Sequence, residues 1–150
     1  MKELSIPIRF GLVTTAVLIA YFLLLALLGK HTHPAWSFLN AAITFFGIFE
    51  AIKLDKLHDV DNFTYEEGFR TGLITGGIAT FLFTAFFLVY ASEFDGDFIP
   101  KLSQYLGETF DTNVGMVTAI VGVMGAATTV ICTLAIMQWF KRSQNTGQTE

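Results

Sequence analysis

The sequence predicts an all-α integral membrane protein: a four-helix bundle with both termini in the cytoplasm and a short amphipathic interfacial helix in its second outer connection. Three observations predict it. Four runs, Phe10 to Leu28, Ala35 to Phe49, Thr71 to Tyr90 and Val114 to Phe140, are free of charge, and about twenty helical residues at 1.5 Å each cross the ~30 Å hydrocarbon core of a bilayer. The positive residues fall on alternate connections. Hydrophobic residues make up 53% of the chain and charged ones only 15%, a membrane balance that leaves room for a single domain.

The first span, about residues 8–28, follows Lys2 and Arg9. No small-x-small cleavage pattern follows its apolar run, so the segment is expected to remain as an anchor and not to serve as a signal peptide. Gly29 ends it, and Pro34 suits the first turn of the next helix. The second span, about 35–53, is the shortest; it reaches membrane-spanning length only by including Glu50. A charged connector, Lys53 to Asn62, comes next; it is expected to extend span two by a turn or two before a break near Asp61 and Asn62.

The third span, about 66–91, organises the rest. Thr64 and Glu67 have the spacing of a capping box, in which each side chain satisfies the other's free amide. Beyond Arg70, Gly68, Gly72, Gly76, Thr80 and Thr84 recur every four residues, a GxxxG-type groove that lets a second helix approach closely. The fourth span, about 113–140, offers two small ridges, Thr118, Gly122 and Ala126 on one and Gly125, Thr129 and Thr133 on the next. Gly122 and Ala126 are the packing candidates. Internal packing of the two small faces is the expected use, and docking of a partner is the alternative. Trp36, Tyr90 and Trp139 fall at the expected water interfaces.

The outer connection from Ala91 to Asn113 is acidic, and Pro100 to Phe110 within it supplies the interfacial helix. The transmembrane domain thus covers 1–142, and the polar tail 143–150 is expected to be disordered. Orientation follows from Lys and Arg, which are retained on the cytoplasmic side. Seven of them (Lys2, Arg9, Lys53, Lys56, Arg70, Lys141, Arg142) lie on one side, and Lys30 and Lys101 on the other. That distribution requires an even number of spans. The starts of spans one and three also share Arg-x-Gly-Leu-Val/Ile-Thr (Arg9 to Thr14, Arg70 to Thr75), which fits either a duplicated hairpin or two independent interfacial arginines.

Several chemistries can be weighed. Ser37, Asn40, Thr44, Gly47 and Glu50 form one polar face on span two. It reads either as a polar track ending at Glu50 or as helix–helix hydrogen bonding, with Glu50 held by Arg70 or Lys53. Glu50, Glu67 and Arg70 are the candidates for cytoplasmic ion pairs. His31 and His33 supply two metal ligands where a site needs three or four, so no metal site is assigned. Asp95-Gly96-Asp97 lacks the rest of a calcium loop. No nucleophile has a base beside it in the sequence, and no cofactor motif or basic nucleic-acid patch appears. Cys132, the single cysteine, sits in an apolar run.

The stretches Leu4 to Leu12 and Phe63 to Gly76, above all Tyr65-Glu66-x-Gly68-Phe69-Arg70-x-Gly72, resemble domain of unknown function 4199. This is a family of small four-span inner-membrane proteins found mainly in Bacteroidetes. The resemblance implies a bacterial inner-membrane location and no activity, cofactor or substrate; some members are encoded near membrane glycosyltransferases. The expected role is therefore non-enzymatic: a scaffold or accessory subunit in the lipid bilayer, associating with itself or with a membrane enzyme such as a glycosyltransferase. The alternative is a small carrier, or an accessory to lipid-linked sugar transfer, that uses the polar face of span two.

Overall fold

The computed structural model describes residues 5–29, 34–58, 60, 63–94, 100 and 113–140. Four helices account for nearly all of them: α1 (Ser5–Leu27), α2 (Pro34–His58), α3 (Tyr65–Val89) and α4 (Val114–Phe140), and the described residues contain no strand. A π-helical turn, Tyr90–Phe94, prolongs α3. All but Pro100 of the predicted interfacial helix, Pro100 to Phe110, together with the tail 143–150 and the pair His31 and His33, lies outside the described residues.

Local chemistry sets the helix ends. Thr64 is extended (φ −102°, ψ 160°), its hydroxyl accepts the Glu67 amide at 3.3 Å, and the Glu67 carboxylate accepts the Thr64 amide at 2.9 Å. The capping box is complete. Asn113 does the same for α4, its side-chain oxygen accepting the Met116 amide at 2.8 Å. Gly29, at φ 65°, closes α1 by donating to the Ala26 carbonyl, a left-handed exit that glycine adopts without a β-carbon clash.

Five of the six helix pairs pack. Only α1 and α4 have at most marginal contact, so the section through the bundle is a rhombus with α2 and α3 on the short diagonal. We call the end where α1 and α3 begin the basal end, and the opposite one distal. Each end is closed by large apolar side chains. Basally, Ile48, Ile52, Ile136 and Met137 are almost wholly buried, with Phe49, Phe63, Phe69 and Phe140 around them. Distally, Phe22 presents its ring edge-to-face to Phe83, Phe86, Phe87 and Tyr90 at centroid distances of 5.0 to 6.1 Å, the arrangement that ring quadrupoles favour.

The outside is as apolar as the core. Val13, Leu24, Phe38, Phe81, Val123 and Ile131 are all exposed, a surface that water would not tolerate over so wide an area. Three stretches, Ile6–Leu27, Tyr65–Glu93 and Val114–Phe140, are long and apolar enough to cross a membrane. Such a belt suits contact with lipid.

Candidate functional site

Between the two apolar plugs lies a waist of glycine and threonine. Every buried polar or charged residue described here is a threonine: Thr14, Thr15, Thr44, Thr71, Thr75, Thr118, Thr129 and Thr133. Threonine suits this position because its hydroxyl can return to a carbonyl one turn back, leaving a methyl for packing. Thr15 donates to the Gly11 carbonyl at 2.8 Å and Thr44 to the Asn40 carbonyl at 2.9 Å.

The small face of α3 is filled by α4. A β-carbon placed on Gly72 would stand 2.5 Å from the Thr133 methyl, and one on Gly76 would collide with Thr129. The relation then reverses: a β-carbon on Gly125 would stand 2.6 Å from the Thr80 methyl, while Gly122 meets Thr84 at an ordinary 3.5 Å. Glycine and threonine thus exchange roles along one antiparallel seam. Thr80 and Thr129 share a hydroxyl hydrogen bond of 3.2 Å at its centre. Gly68, a turn before the seam, is covered by Phe63 and Met137. The α4 residues that meet α3 come from both ridges, Gly125, Thr129 and Thr133 from one and Gly122 from the other, while Ala126 is exposed. The hydroxyl oxygens of Thr84, Thr118 and Thr133 are buried without a hydrogen-bond partner among the described residues.

The polar face of α2 meets α1 at its middle. Gly47 lies directly against Thr14, with no room for a β-carbon. Thr44 is buried and its hydroxyl is spent on its own helix. Asn40 is half-buried with its side-chain oxygen unpartnered among the described residues, and the Ser37 side chain is outside them. Glu50 takes Lys53 at 3.3 Å, one turn along the same helix, and not Arg70. Glu67 is engaged by the cap, so neither acid reaches Arg70, which is exposed.

One polar contact between helices was not legible beforehand. The Thr71 hydroxyl donates to the Asp55 carboxylate at 2.6 Å, joining α2 to α3 at the basal end. Nearby, Lys56 places its ammonium 5.1 Å from the Phe140 ring centroid, within cation–π range. Asp55 falls after the apolar run of span two, in the charged connector that extends that helix, and the continuation of α2 to His58 brings it beside Thr71. At the other end of α2 the Tyr21 hydroxyl donates to the Trp36 carbonyl at 2.9 Å.

Residues 9–119 match the family model described as "Protein of unknown function (DUF4199)". The chain belongs to the DUF4199 family. No curated protein and no solved structure matches it. The matched stretch contains α1 from Arg9 onward, α2, α3 and the capping box, and ends in the second turn of α4. Gly125, Thr129 and Thr133, the α4 half of the seam, therefore lie beyond the part of the chain that the DUF4199 model matches.

Proposed function

We propose that the chain is a four-span protein of a bacterial inner membrane, with both termini in the cytoplasm, and that it acts without catalysis as an accessory or scaffold subunit. Support for the fourth span comes from the contacts of α2. Its Trp36 carbonyl is level with Tyr21, near the distal end of α1, and its Asp55 with Thr71, near the basal end of α3. Nineteen residues separate the two contacts, about 28 Å of helix rise, nearly the thickness of the hydrocarbon core. An α2 that follows its neighbours over that length shares their solvent. Arg9, Lys53, Lys56 and Arg70 all lie toward the basal end, which makes it the cytoplasmic end under positive-inside retention.

The observation that supports the non-transporting role is the close contact in the middle of the α2 polar face, where Gly47 meets Thr14, with Glu50 paired to Lys53 at its end. A carrier needs that face open to a solute. Because the Gly72–Gly76 face is already occupied by α4, a partner would have to meet the outer faces, where large side chains such as Val123 and Ile131 are exposed. The partner is a second copy or a membrane enzyme, glycosyltransferases being the first class to examine.

The test is crosslinking in native membranes followed by purification and mass measurement, alongside labelling of single cysteines introduced at Gly29 and His58, with Cys132 replaced by serine, in intact and opened cells. A discrete complex of constant stoichiometry is expected, with Gly29→Cys labelled from outside and His58→Cys only after opening. A lone chain at every crosslinker concentration ends the scaffold reading, and equal labelling of the two positions in intact cells ends the four-span topology.

A further inference from the structure

We propose that Arg9 of α1 holds the phosphate of one anionic phospholipid in the leaflet at the basal end. Pro7, Gly11, Thr14, Thr15 and Leu18 make the buried stripe of α1, and at about 3.6 residues per turn Arg9 falls half a turn from the centre of that stripe. Its side chain points away from the bundle. It is exposed, and no ion pair or hydrogen bond reaches its guanidinium among the described residues.

Depth selects the partner of this charge. Thr75 donates to the Pro7 carbonyl at 3.4 Å and Gly11 lies against Ile78, so Arg9 is level with residues 75–76 of α3. That is about 8 Å of helix rise further toward the middle of the bundle than Arg70. Ile8, Leu12 and Val13, beside it on the outer face, are exposed hydrocarbon, so the guanidinium emerges at the edge of the apolar belt. Lys53, which the Gly47–Thr14 contact sets at the same level, is already matched by Glu50, and Asp55 is engaged by Thr71. Among the described residues no carboxylate is left at this level for Arg9. The anions at the edge of a bilayer's hydrocarbon are lipid phosphates, and a guanidinium offers two parallel N–H groups to two phosphate oxygens. Charge balance then favours an anionic headgroup, since a zwitterionic lipid brings an ammonium of its own. This inference rests on the membrane reading but not on the scaffold role, and a protein that binds no partner at all would still hold the lipid.

The test uses the full-length protein in vesicles of mixed phosphatidylglycerol and phosphatidylcholine, with a single reporter tryptophan, Val13→Trp, one turn from Arg9 and with Trp36 and Trp139 replaced by phenylalanine. Flotation with the vesicles is checked first; a chain that does not float loses the membrane reading and this site together. Quenching by brominated acyl chains, carried in turn by each lipid, then gives the enrichment of phosphatidylglycerol beside the reporter. An enrichment of roughly fivefold over its share of the bilayer is expected, the preference that one basic residue at the surface confers. Arg9→Gln breaks no bond among the described residues, so the fold is kept and the enrichment should vanish. A second reporter, Ile131→Trp, sits at a similar depth on α4, because Thr129 and Thr133 lie against Gly76 and Gly72, and it too replaces an exposed residue. With no basic residue within seven positions of it, it should report no enrichment. Equal enrichment at the two reporters, or enrichment at Val13→Trp that survives Arg9→Gln, overturns the proposal. So does weak quenching of Val13→Trp by both lipids, which would show protein and not lipid against this face.

Discussion

Gly72 of α3 and Thr133 of α4 occupy one slot: a β-carbon on the glycine would stand 2.5 Å from the threonine methyl and 2.8 Å from its hydroxyl oxygen. Both residues are buried, and Thr133 is fully so. The fit between them is steric, because the Thr133 hydroxyl has no hydrogen-bond partner among the described residues. In hydrocarbon there is no water to expel from between helices, so close packing of this kind is what holds two spans together.

Gly72→Ala should therefore destabilise the bundle by about 1–3 kcal/mol through overpacking. Thr133→Ala removes both close atoms and no hydrogen bond, so the double variant should recover most of the loss. Denaturant unfolding in mixed micelles of the two single variants and the pair gives the coupling energy. Additive losses would show that the two residues do not share a slot. Gly77→Ala serves as the control, neutral or slightly stabilising, since its β-carbon meets nothing.

The Asp55–Thr71 hydrogen bond predicts a second coupling, this time between α2 and α3. Asp55→Ala leaves a buried hydroxyl without its acceptor, at a cost of about 1–3 kcal/mol. Thr71→Val should cost a similar amount, and the two losses should not add. Thr71→Ser, which keeps the hydroxyl, should stay close to the parent protein. If Asp55→Ala unfolds at the parent's denaturant concentration, the bond contributes nothing and α2 is held by its apolar contacts alone.

Thr64→Ala removes the hydroxyl that accepts the Glu67 amide and donates to the Glu67 carboxylate, and leaves the backbone arm of the capping box, from the Thr64 amide to that carboxylate, in place. A loss of about 1 kcal/mol is expected, concentrated at the start of α3. Hydrogen exchange should quicken for the amides of Glu66 and Glu67 while those near Thr75 remain protected, and Thr64→Ser should restore the slow exchange. Uniform quickening along α3 would place the cap's contribution in the whole bundle and not in its first turn.

Much of this architecture was legible in the residues, and the part that was not has a physical cause. Hydropathy alone marks α1, α3 and α4, and the cap at Thr64 is read directly from Thr-x-x-Glu spacing. The four-residue recurrence from Gly68 to Thr84 marks a small face, but not which residues of α4 meet it, because Thr118 and Gly125 each begin a ridge of similar residues. Only the antiparallel register sets glycine against threonine and turns Ala126 outward. Asp55 and Gly47 escaped for a different reason: their partners, Thr71 and Thr14, lie on other helices, and periodicity within one helix carries no information about its neighbours.

Glu50 separates fit from charge on α2. Its carboxylate is partly exposed and its partner Lys53 lies three residues along the same helix, a pairing worth a few tenths of a kcal/mol in a solvated setting. Glu50→Gln should accordingly leave unfolding unchanged within about 0.5 kcal/mol. Gly47→Ala, one turn away, forces a methyl into Thr14 and should cost several times more. The order of the two losses is the informative quantity, measured by the same micelle unfolding. If Glu50→Gln is the more damaging change, the carboxylate is serving a charge or solute inside the bundle, the α2 face is open in the working protein, and the carrier reading replaces the scaffold.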